Sequence, residues 1–292
     1  MRIPRGGFLP NLCTLGNGIC GYAAIAATLQ VAIVQSESGA RFDRPELFAS
    51  AAWMILLGMV FDVFDGKLAR LTGRTSDLGA QLDSLCDAVT FGLAPALLVL
   101  RMNELQHELW RKVVWFLCLS YFLGALLRLA RFNAENDHDE SAHLCFKGLP
   151  SPGAAGCVAT LVVFYRYVME FRQRELVWLG ELGMQETVQS LAAWIPRLLP
   201  ILLLGLGYTM VSNRLRYEHI AGRLLHRPHS FEFLVSVIFA SVLLAVVPEV
   251  VLPVAFVGYL VLTPVQLLVR AIKARKRGVE HPDASPSPGV DR

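Results

Sequence analysis

The chain has 292 residues, 54% of them hydrophobic and 17% charged, with a formal net charge of +3 and a positive mean hydropathy. That balance argues against an ordinary soluble domain and gives no reason to expect a nucleic-acid partner.

A helix crosses a bilayer with roughly 20 predominantly apolar residues. Windows of about that length fall at residues 9–34, 46–64, 82–101, 110–130, 150–170, 191–211, 232–248 and 249–270. They predict an all-α integral membrane protein, a polytopic helix bundle of about eight transmembrane helices. Only VVPEVVLP separates the last two windows, so a single re-entrant pair there would lower the count.

Arg2 and Arg5 precede the first window, but its apolar run is too long for a cleavable signal peptide and no small-residue cleavage site follows it. It is therefore read as a membrane helix. Residues 1–231 form a core of about six helices, 232–270 an additional hairpin, and 271–292 a basic and then Pro/Ser-rich disordered tail. With both ends cytoplasmic, the inner segments carry 18 of the 27 Lys and Arg residues, as the excess of basic residues on inner loops requires.

Between the second and third windows lies FDVFDGKLARLTGRTSDLGAQLDSLCD, residues 61–87, with five aspartates. Carboxylates within or against a bilayer are costly unless a cation pairs with them. Asp62 and Asp65 are three residues apart, and Asp83 and Asp87 four, so each pair shares one helix face. A short turn around residues 72–76 brings the two faces together at the cytoplasmic rim.

Such a set suits a hard divalent cation, Mg²⁺ or Mn²⁺, held by carboxylates and substrate phosphates. Gly66 and Ala69 remove bulk beside Asp65, and Gly79 clears the facing wall one turn before Asp83. Lys67 and Arg70 supply positive charge for phosphate oxygens. The whole reads as a metal-loaded diphosphate cradle.

Asp43 and Asp77 read as helix caps, and the acidic stretch from Asn133 to His143, with His138, as a solvated loop. The six cysteines contain no CxxC pair and read as packing residues.

In full, the pattern is Asp62-x2-Asp65-Gly66-x2-Ala69-Arg70-x8-Gly79-x3-Asp83-x3-Asp87. It resembles the signature of the CDP-alcohol phosphatidyltransferase family. PNLCTLGNGICG (10–21), DSLCDAVTFGLAPA (83–96), RLARFN (128–133) and FKGLPSPGAAG (146–156) extend the likeness to bacterial members that use serine as acceptor. Leu78 and Cys86 depart from that serine-specific pattern, where an aromatic and an alanine are common.

The resemblance implies the family fold, with Asp62, Asp65, Asp83 and Asp87 as metal ligands and Asp87 also as general base. It implies contacts to CDP-diacylglycerol from Asn17, Gly66, Arg70 and Ser76, and transfer of the phosphatidyl group to the hydroxyl of L-serine with release of CMP. Glycerol 3-phosphate, inositol phosphate and choline are the alternative acceptors. The serine carboxylate calls for a cation, and Arg128, Arg131 and Lys147 are the candidates. The resemblance further implies a homodimer in the bacterial inner membrane with its active site on the cytoplasmic side.

Two other readings fit less well. Membrane prenyltransferases keep their two aspartate motifs far apart along the chain, and transporters bind cations near the midplane at broken helices.

Overall fold

The computed structural model describes residues 8–38, 45–72, 77–103, 108–136, 146–171, 185–212, 216–217 and 231–262. Ser76, the loop around His138 and His143, Cys145 and the 271–292 tail lie outside these residues, as do the side chains of Ala69, Arg70, Asp77 and Lys147.

Among the described residues, the architecture is all helical apart from one two-residue bridge. α1 spans Phe8–Ser38 and α2 Pro45–Thr72. α3 (Asp77–Asp87) runs through a π-helical stretch, Ala88–Leu93, into α4 (Ala94–Met102). α5 spans Glu108–Asn136, α6 Ser151–Phe171 and α7 Gln185–Val211. α8 covers Phe231–Val246, and α9 covers Pro248–Leu262. β1 (Phe146–Lys147) pairs antiparallel with β2 (Arg216–Tyr217).

Among the described residues, six helical runs are long and apolar enough to cross a membrane, the third being α3, the π stretch and α4 taken together. Each of the six overlaps a window predicted from sequence. α8 and α9 are apolar but shorter. At 1.5 Å per residue α8, with 16 residues, reaches about 24 Å, against a hydrocarbon core of about 30 Å.

Water cannot satisfy backbone groups in the bilayer core, so packing and internal hydrogen bonds must do so. α1 lies along α2, α5 against α7, and α2 against α6. Small residues set how closely these helices approach. A methyl group added at Gly207 would sit 3.1 Å from the Cα of Tyr121, and one at Gly124 would sit 2.9 Å from the Gly207 carbonyl oxygen, so α5 and α7 cross nearly backbone to backbone. Thr14, Thr28 and Ser120 each donate to a carbonyl four residues earlier, which keeps their hydroxyls satisfied.

Prolines open gaps in this accounting, and the fold closes two of them from a distance. Pro95 has no N–H for the Phe91 carbonyl four residues earlier; the buried Tyr121 hydroxyl of α5 donates to that carbonyl at 2.8 Å. Pro200 likewise leaves the Pro196 carbonyl without its helical donor, and the Asn103 amide at the end of α4 donates to it at 2.9 Å.

Candidate active site

The glycines of α1 begin the site. Methyl groups at Gly16, Gly18 and Gly21 would crowd Phe61, the Cys86 sulfur and the Thr90 backbone, at 3.0, 2.9 and 3.0 Å. α1 therefore sits tightly against α2 and the third span, and the buried Thr90 hydroxyl donates to the Asn17 carbonyl at 3.0 Å. This seating carries the fully buried Asn17 side chain to the aspartates, where its amide nitrogen donates to Asp87 Oδ1 at 2.9 Å.

Asp62 on α2 and Asp83 and Asp87 on α3 converge. One carboxylate oxygen from each lies within 4.8 Å of the others. Asp65 sits one helical turn from Asp62, 6% exposed, beside the Thr14 hydroxyl and the Gly66 N–H. Asp65 Oδ2 and Asp83 Oδ1 are buried without a hydrogen-bond partner.

Like charges at this spacing repel, and buried acceptors without donors are costly, so the arrangement fits a divalent cation held among the carboxylates. A methyl group at Gly66 would meet nothing within 4 Å, which leaves open space beside Asp65.

The third helix begins at Asp77, earlier than its apolar window, because the polar turn DLGAQ is already helical. Asp83 and Asp87 consequently lie inside the helix, and Asp87 is only 7% exposed. The site is thus a recess between α1, α2 and α3, more enclosed than an edge between membrane and water.

Of the proposed acceptor residues, Arg128 on α5 is within electrostatic reach of Asp62 and Asp87 and donates to the buried Ser151 hydroxyl at the start of α6, 2.6 Å away. Arg131 lies a turn further along α5 and is half-buried, and Lys147 is in β1. Asn133, two residues further along, donates to Ser84 beside Asp83 at 2.9 Å and ties α5 to α3.

Two participants were not anticipated from sequence. The π stretch starts at the residue after Asp87, and wide turns of this kind are frequent at functional sites; the nearby Gly92 and Pro95 were its only sequence cue. Tyr259 of α9 is within electrostatic reach of Arg128, and its ring would lie 3.7 Å from a methyl group at Gly153. It comes from a segment with no recognisable motif.

Comparison with known proteins agrees with the geometry. The CDP-alcohol phosphatidyltransferase profile matches residues 7–195. The CDP-diacylglycerol–serine O-phosphatidyltransferase of Bacillus subtilis strain 168 is 34% identical over 163 residues, 56% of this chain and 79% of that protein. The enzyme of the same name from Saccharomyces cerevisiae is 34% identical over 169 residues, 53% of this chain and 56% of that one. The one from Methanocaldococcus jannaschii is 43% identical over 102 residues, 35% and 45% of the two chains. The match thus spans most of the Bacillus protein and about half of the other two. A profile match over more than half the chain, across the helices that carry Asp62, Asp65, Asp83 and Asp87, means that this protein belongs to the CDP-alcohol phosphatidyltransferase family.

Proposed function

We propose that the protein transfers the phosphatidyl group of CDP-diacylglycerol to the hydroxyl of L-serine, giving phosphatidylserine and CMP. The observation that carries this reading is the approach of the Asp62, Asp83 and Asp87 carboxylates to within 4.8 Å, in a chain similar to several enzymes named for that reaction.

Asp62, Asp65, Asp83 and Asp87 would hold Mg²⁺ or Mn²⁺. When bound, the cation neutralises diphosphate charge and stabilises the departing CMP. The remaining steps belong to the side chains. Asn17 fixes one oxygen of Asp87, which leaves the second to take the proton of the serine hydroxyl. The serine oxygen then bonds to the phosphorus that carries diacylglycerol as the bond from that phosphorus to the CMP oxygen breaks.

The open space beside Gly66 admits the diphosphate, with Arg70, Ser76 and Gly79 as further contacts. Arg128 is the best-placed cation for the serine carboxylate, and Arg131 and Lys147 are the further candidates. We place the site on the cytoplasmic side of a bacterial inner membrane, in a homodimer, so that the acyl chains stay in the bilayer while nucleotide and serine come from water.

The deciding experiment measures CMP release from CDP-diacylglycerol by purified protein, with serine, glycerol 3-phosphate, inositol phosphate, choline or no acceptor. Serine-dependent release that stops on chelation and returns with Mg²⁺ or Mn²⁺ is expected. Release driven by another alcohol would retain the chemistry and replace the acceptor.

A further inference from the structure

At the opposite end of the bundle lies a second feature that the phosphatidyl transfer does not use. α5 runs from Arg111 to Asn133, which is tied to the aspartate-bearing α3; that separation is about 33 Å at 1.5 Å per residue, roughly a bilayer's hydrocarbon thickness. Near Arg111, helices α1, α4 and α5 enclose a cavity of about 470 Å³.

Its lining divides by chemistry. Leu29, Leu97 and Leu100 make an apolar wall, and Arg101, Arg111 and Lys112 bring three cations. The cations sit where helices end. Arg101 is one residue before the end of α4, and Arg111 and Lys112 are in the first turns of α5. Trp115, one turn below Arg111 and 56% exposed, completes the wall at the depth where tryptophan settles between acyl chains and headgroups.

Lys112 pairs with Glu108 at 3.1 Å, but both side chains are 71% exposed, and an ion pair so solvated gives way readily to a better anion. The size falls in the range of ligand sites, and the gradient from apolar floor to cationic rim matches an amphiphile whose polar end is negative.

We infer that this cavity is a binding site for an anionic glycerophospholipid of the leaflet opposite the aspartate cluster, with the phosphate at Arg101 and Arg111 and the upper acyl chain against Leu97, Leu100 and Trp115. A zwitterionic lipid carries its own cation into the same rim, where three basic side chains oppose it. A soluble phosphate ester leaves the leucine wall uncovered.

Trp115 supplies the readout. The full-length protein is reconstituted in phosphatidylcholine bilayers, and phosphatidylglycerol or phosphatidylcholine brominated on the acyl chain is titrated in. Subtracting the signal of Trp115→Phe isolates this one tryptophan. The Trp115 component is expected to be half-quenched at roughly a tenfold lower fraction of brominated phosphatidylglycerol than of brominated phosphatidylcholine. That preference should vanish in R101Q/R111Q/K112Q, whose thermal midpoint serves as the folding control; if the triple variant does not fold, R111Q alone should reduce it.

Equal quenching by the two lipids would overturn the site and leave Trp115 as an ordinary lipid-facing residue. Relief of quenching by inorganic phosphate would overturn it in favour of a soluble anion. No quenching by either would mean that protein covers the cavity.

Discussion

Asn17 and Asp87 are 70 positions apart, yet their 2.9 Å hydrogen bond ties down one oxygen of the proposed base. Asp87→Asn should lower serine-dependent CMP release by about 10²- to 10⁴-fold with the protein still folded, as initial rates and a thermal melt would register. Asn17→Ala removes a hydrogen bond to a charged group, which corresponds to about a ten- to hundredfold loss. That loss should fall on kcat rather than on the KM for CDP-diacylglycerol; a change confined to KM would make Asn17 a substrate contact instead. The aspartates were legible in the sequence because a carboxylate amid apolar residues demands an explanation. The amide bond was not, since it depends on how closely three glycines let α1 approach, and spacing along one helix says nothing about the helix it meets.

Among the elements, apolar length marked the six long helices, and the residues that interrupt them were harder to read. In sequence Pro200 is an ordinary proline in an apolar window; in the fold Asn103 donates to the carbonyl that Pro200 orphans. Asn103→Leu should destabilise the protein by about 1–3 kcal/mol, measured by denaturation in detergent. Restoring the helical N–H with Pro200→Ala should recover part of that loss, so the double-mutant cycle should show coupling between the two positions. The α5–α7 crossing makes a parallel case. Gly207→Val drives a side chain into the Tyr121 backbone and should cost about 1–3 kcal/mol in the same assay. The π stretch left little trace in composition, because a helix that widens by one residue keeps the same apolar content.

For the whole molecule, bilayer crossing was evident from hydropathy, whereas which later side chains close the recess was not, because apolar length alone does not say which helix meets which. Tyr259 and Ser151 both lie beside Arg128, so helices beyond the aspartate pattern help to wall the recess. Lipid rather than water surrounds the bundle, and exposed Ile19, Phe116, Leu127 and Ile201 are what it meets. Burying apolar surface against acyl tails yields little, so close packing and satisfied polar groups hold the helices together. The two proline-orphaned carbonyls therefore bear on biogenesis. Until α5 arrives, the third span carries a bare Phe91 carbonyl in hydrocarbon, and α7 carries a bare Pro196 carbonyl until the third span arrives. Each donor comes from a different partner, so the helices gain from docking in sequence, α5 to the third span and the third span to α7. Assembly of the bundle is thereby ordered by which helix can lend a proton to which.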